Sequence, residues 1–137
     1  MYIVAKFNTE TSKTEFSKID IPEKNQLKRF QSIVDGNIEI PFISEKLRDV
    51  GIDVIINEEG KLIGLPITAV INDCKNKMLD VICGKIIFAG FNANNGESIP
   101  LTDDQISWIQ DNIIAEEHHV MLVTPDNELI TVPVIEW

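Results

Sequence analysis

The hydrophobic pattern opens with a strand, Met1 to Phe7, and a second follows at Thr14 to Ile21, joined by the polar turn Asn8 to Lys13. Ile21-Pro22-Glu23 then starts a helix, since proline at the first helical position gives up an N–H that has no partner there. Leu27, Phe30, Ile33 and Val34 share one stripe of that helix, and Gly36 is placed to end it in a left-handed cap. Ile38 to Phe42 predicts a short strand. Ser44 to Val50 predicts one helical turn stopped by Gly51.

The middle of the chain is mostly β in pattern. Ile52 to Ile56 and Lys61 to Ile63 flank the turn Asn57-Glu58-Glu59-Gly60, and Gly64-Leu65-Pro66 breaks the second of these strands. Residues 67–77 fit either a short helix or a loop crossing the sheet. Met78 to Gly90 is a long apolar run whose internal Gly84 predicts a bulged or bent central strand. Asn92 to Gly96 is a loop by composition.

Thr102-Asp103-Asp104-Gln105 is a capping box that starts a helix reaching about Ala115. Val120 to Thr124 and Leu129 to Val134 then form a hairpin around Pro125 to Glu128. These elements describe a single α+β domain over residues 1–137, with a largely antiparallel sheet, two principal helices and a C-terminal β-hairpin at 118–137.

Composition agrees. A chain of 137 residues with 44% hydrophobic and 25% charged side chains is that of a folded domain, not a disordered one. No apolar run approaches the roughly 20 residues that span a bilayer, and the N-terminus lacks the basic start of a signal peptide. Two cysteines, Cys74 and Cys83, suit a reduced protein of the cytoplasm.

Charge changes the picture more. Residues 102–137 contain no lysine or arginine but eight carboxylates, and so carry −8 of the formal −10. Residues 1–101 hold all twelve basic groups and fourteen acids, a net of −2. Such an acidic end excludes direct binding of nucleic acid, anionic lipid or a phosphate-lined surface there.

Four segments carry a family resemblance: Gln31 to Ile40, Asn57 to Pro66, Asp80 to Gly90 and Leu101 to Ile106. Together they resemble the small-protein family of bacteriophages and plasmids known as domain of unknown function 3846, over roughly residues 1–110. The Asn57-Glu58-Glu59-Gly60-Lys61-Leu62 turn is the most specific part. Where the family tends to place Asn-Arg after Leu-Pro, this chain has Ile67-Thr68, so no polar site is expected there. The resemblance implies a mobile-element origin and an accessory role, and it carries over no catalytic residue.

Candidate chemistry is sparse. His118 and His119 are adjacent, so on a strand they face opposite ways and do not chelate one metal. Cys83 sits in an apolar strand, where a thiol behaves as a small hydrophobe with a raised pKa. No Gly-x-Ser-x-Gly or phosphate loop occurs. Neither a metal, a cofactor nor enzymatic activity is expected. Asp103 and Asp104 are explained by the helix dipole at a first turn. Trp108 falls with Asp104 and Asp111 on the side of the helix opposite the Ile106, Ile109, Ile113 stripe. Either a partner surface, joined by Glu116 and Glu117, or a cover by the final hairpin accounts for it. Phe91, Asn92, Asn94 and Asn95 combine an aromatic ring with amides, as a nucleotide base or ribose requires, or else make a simple Asn/Gly turn.

The function expected is that of a non-enzymatic accessory binding protein acting in counter-defence. It would sequester a host protein or a small nucleotide messenger in the host cytoplasm, with a homo-oligomer expected in the second case. The alternative is an acidic nucleic-acid mimic that blocks a host DNA-binding enzyme.

Overall fold

The computed structural model describes residues 1–137. Strands β1 (Tyr2–Asn8) and β2 (Lys13–Ile19) form the predicted hairpin and lead to helix α1 (Gln26–Val34). After β3 (Ile38–Glu39), α2 (Glu45–Asp49) and β4 (Ile52–Asn57) come β5 (Ile67–Asn72), β6 (Met78–Cys83), β7 (Ile86–Phe91) and β8 (Ser98–Ile99). Helix α3 (Asp103–Ile109) continues as a wide π turn over Gln110–Ile114, and the chain ends in β9 (His119–Val123) and β10 (Leu129–Glu136).

All ten strands join one curled sheet in the order β3-β4-β7-β1-β2-β10-β5-β6, with β8 on β7 and β9 on β10. Pairing is antiparallel except where β10 meets β2 and β5. The fold is α+β in a single domain. No helix is long and apolar enough to cross a membrane.

Both faces of the central strands are covered, which is why their sequences are nearly continuous apolar runs. On one face Ile3, Ala5, Ile52, Val54, Ile86 and Phe88 meet Ile109 and Ile113. On the other, Tyr2, Val4, Ile55, Ile87 and Ala89 meet Phe30 and Val34 of α1. Neighbouring residues thus alternate between two cores, as the period of two in a strand demands.

Several local expectations are corrected. Helix α1 ends with Asp35, not Gly36, in the left-handed conformation at φ 64°. Gly36 is instead needed for space, since a Cβ there would lie 2.7 Å from the Asn57 amide nitrogen. That amide donates to the Val34 carbonyl at 3.0 Å and so satisfies a helix-end acceptor. Leu27 lies outside the buried stripe, at 55% exposure. The strand expected at Ile38 to Phe42 pairs for only two residues. Lys61 to Ile63 form no strand: Gly60 N–H bonds to Asn57 O, Ile63 to Glu59 and Leu65 to Gly60, a run of turns. The place beside β4 belongs to β7, whose apolar run buries far more surface than Lys61-Leu62-Ile63 offers.

Residues 67–77 are neither helix nor crossing loop, because 67–72 form β5. Thr68, Ala69, Val70 and Ile71 are all buried, so this strand shows no alternation to read. The run from Met78 to Gly90 is not one bent strand. Gly84, at φ 93°, breaks it into β6 at one end of the sheet order and β7 near its centre. The capping box at Thr102 is present in both directions.

Gly60 is a tight point: a Cβ there would stand 2.2 Å from the Cys83 carbonyl oxygen, and backbone cannot yield as a side-chain tip does. Gly60→Ala is expected to lower stability by about 1–3 kcal/mol, read as a lower urea midpoint. A midpoint equal to that of the parent chain would contradict the contact.

Candidate functional site

A cleft of about 380 Å³ lies between the segment entering α2 and the strands β4 and β7. Ser44 builds one wall. Its hydroxyl accepts from Leu47 N–H at 3.3 Å as the cap of α2 and also donates to the Glu136 carbonyl. Lys46 N–H donates to the Trp137 carbonyl at 3.2 Å, and the Lys46 ammonium pairs with the Glu136 carboxylate. Phe42 packs edge-to-face on Trp137 at 5.1 Å, and the Arg48 guanidinium stands 4.9 Å from the Phe42 ring centre. The wall is therefore fastened to the end of β10.

Ile52, Asp53 and Val54 of β4 line the opposite side, with Phe91 from the end of β7 and Gly96 from the loop after it. Two half-exposed aromatic rings, Phe42 at 49% and Phe91 at 45%, thus border a space that holds one guanidinium and one carboxylate. Burial pushes the Asp53 carboxyl above its ordinary pKa, and the nearby Arg48 charge pulls it partway back. A volume of this size is in the usual range for small-ligand clefts.

A second cleft of about 270 Å³ opens on the other side of the same segment, and Pro41 and Ile43 line both. It contains the exposed Lys61–Asp80 pair and Cys83. Burial raises the Cys83 pKa, which outweighs the nearby Lys61, so the thiol is poorly set up as a nucleophile.

Of the residues singled out in the sequence, Phe91 lines the large cleft, whereas Asn92, Asn94 and Asn95 do not. Asn92 Oδ1 accepts from Asn94 N–H and Asn95 Oδ1 from Glu97 N–H, both at 3.0 Å, so these oxygens shape the loop itself. Phe42, Arg48 and Asp53 were not foreseen. A signal existed for Asp53, the one charged residue inside the apolar run Ile52 to Ile56.

Asp104, Asp111, Glu116 and Glu117 are all exposed. Trp108 is half-buried and packs against the same core as Ile109 and Ile113. Its carbonyl accepts from the Asn112 side chain at 2.8 Å, beside the π turn in which Ala115 N–H reaches back to Gln110 O. His118 Nε2 stands 3.8 Å from the Glu117 carboxylate, while His119 stacks on Phe16 at 6.1 Å with its Nε2 buried and unpartnered. The two histidines share no site.

Residues 7–114 match the family model described as Domain of unknown function (DUF3846). The chain belongs to this family. No curated protein and no solved structure matches it. The match to the DUF3846 model covers α1, α2, β4, Phe91 and α3, but it stops before β9 and β10, and so before Glu136 and Trp137, which anchor the Phe42 wall.

Two pH-linked outcomes follow from burial. The His119 pKa is lowered, first by burial and then by His118 and Lys13, against the Ile113 backbone and Glu116. A base that protonates more easily unfolded than folded withdraws its support as pH falls below the unfolded value near 6.5. Unfolding midpoints should therefore drop below pH ~6.5, and His119→Phe should flatten that drop; an unchanged slope would contradict it. The raised Asp53 pKa has the opposite sign: ionised at neutral pH, it costs stability. Asp53→Asn should raise Tm at pH 7 and show little effect at about pH 4, where the unfolded carboxyl is itself half protonated.

Proposed function

We propose that this chain is a non-enzymatic binding protein whose large cleft takes a small planar ligand of the nucleoside or nucleotide class. The observation that carries this reading is the pairing of two exposed rings, Phe42 and Phe91, with Arg48 and Asp53 around one space. An aromatic ring stacks on any base, the guanidinium binds a phosphate or a base carbonyl, and a carboxylate accepts from base amino groups. With one cation and one carboxylate, this set favours a ligand of low charge over a polyphosphate.

Catalysis has less support, since the cleft lining contains no histidine or cysteine and its serine is committed to a cap. The resemblance to phage and plasmid proteins supports an accessory role in which the bound messenger is withheld from a host response in the cytoplasm. The ligand site is then the cleft beside the Asn92, Asn94 and Asn95 loop, with Phe91 common to both.

The test is calorimetric titration of the whole chain with nucleosides, mononucleotides and cyclic dinucleotides, together with mass spectrometry of protein released from host cells. One of these classes should bind, and Phe91→Ala should weaken it about tenfold, the scale of one lost base stack. Arg48→Ala should weaken phosphate-bearing ligands more than nucleosides. Absence of binding by every class, or equal affinity in the Phe91→Ala chain, would sink the proposal.

A further inference from the structure

Strand β9 has a ladder partner on one side only. The direction of its free groups follows from β10. Thr131 N–H donates at 2.9 Å to Ser12 O, on the side of β10 away from β9. In an antiparallel pair, a residue that bonds outward faces a partner that also bonds outward. Thr131 stands opposite Met121, and Leu129 opposite Val123. The N–H and C=O of Met121 and Val123 therefore point to the open edge, while Val120 and Leu122 bond to β10 and pack their side chains on the Val70, Ile130, Val132 cluster. No side chain or turn bonds to Met121 or Val123.

This edge lacks the usual protection. Natural edges carry a lysine, a proline or a charge turned inward, but His119-Val120-Met121-Leu122-Val123 has none. Met121, Val123 and Leu129 are 67%, 64% and 56% exposed, side by side on one face. The charges stand at the two ends instead: Glu116 and Glu117 before the strand, Asp126 and Glu128 after it, all exposed. None of these four acids pairs with a lysine or arginine.

We propose that β9 is a docking edge for an extended peptide segment of a partner protein, apolar at its centre and basic at both ends. The segment adds as a further strand, its backbone bonding to Met121 and Val123 and its alternate side chains covering the Met121, Val123, Leu129 face. Lysine or arginine at its ends meets the flanking carboxylates. A second copy of this chain fits poorly, because pairing β9 with β9 in either direction sets acid pairs against acid pairs. The same four acids keep copies apart while the edge stays open to an oppositely charged strand. This inference is independent of the ligand cleft.

The experiment uses the full chain and a labelled peptide of sequence Lys-Lys-Val-Thr-Val-Thr-Val-Lys-Lys, followed by fluorescence anisotropy. Binding should be saturable and weaken as salt is raised, and the same peptide with glutamates at its ends should bind at least about tenfold more weakly. Met121→Pro removes one outward N–H without touching the β10 ladder, so it should cost about tenfold or more in affinity with little change in Tm. If that variant does not fold, Glu116→Gln combined with Glu117→Gln, Asp126→Asn and Glu128→Gln should produce the loss instead. Equal binding of both peptides, or affinity unmoved by the folded variant, overturns the proposal. A dimer seen by native mass spectrometry and abolished by Met121→Pro also overturns it, assigning the edge to a second copy.

Discussion

Three hydrogen bonds in series, two of them buried, hold the corner on which the sheet turns. Gly84 N–H donates to the Pro66 carbonyl at 2.8 Å, Thr68 Oγ1 to the Gly84 carbonyl at 2.6 Å, and Thr14 Oγ1 to the Thr68 carbonyl at 2.7 Å. Thr14 and Thr68 are both buried, so each unmade bond would leave a polar group without water. Gly84 can serve there because its φ is 93°, a conformation that residues with a side chain rarely adopt; a Cβ would also push on the Leu65 methyl 2.8 Å away. With this corner in place, β6 and β7 separate. β5 then lies beside the path of β10, and the last strand enters the sheet parallel to it over Val134 to Glu136.

That corner also explains where sequence reasoning stopped. The local signals were legible wherever chemistry acts within a few residues: the β1–β2 hairpin, the Thr102 capping box, the Ser44 turn and the final hairpin. Two local signals misled, since α1 starts at Gln26 after a left-handed Asn25 and not at Pro22, and it ends on Asp35 and not Gly36. The larger failures came where long-range competition decides. Lys61 to Ile63 have a strand-like pattern after a turn, yet β7 outcompetes them for β4. Residues 67–72 are buried on both faces, so the amphipathic period that separates helix from strand is missing. Gly84 announced an irregularity, but not that the two halves of the run belong in different parts of the sheet.

The candidate cleft was legible only in Phe91. Apart from Gly96, its other members come from 40–54, held by the contact of Phe42 with Trp137, more than eighty residues away in sequence, and no local pattern links them. The acidic end fared differently. Composition alone separated it from the rest of the chain, and the structure sets four of its eight acids, Glu116, Glu117, Asp126 and Glu128, around an open strand edge outside the family-matched residues 7–114. Charge is a bulk property that survives without knowledge of the fold, whereas a cleft is a product of it.

The fastening of α2 to the end of β10 bears on when this molecule becomes competent during synthesis. Ser44, Lys46 and Phe42 wait for the carbonyls of Glu136 and Trp137 and for the Trp137 ring. Until those two residues leave the ribosome, a helix of five residues is held only by its Ser44 cap and the buried Leu47, and so short a helix is marginal alone. The wall of the cleft is thus among the last features to set, although its residues are made early. A nascent chain would carry the ring, the guanidinium and the carboxylate without the space between them, which closes only once Glu136 and Trp137 can reach α2.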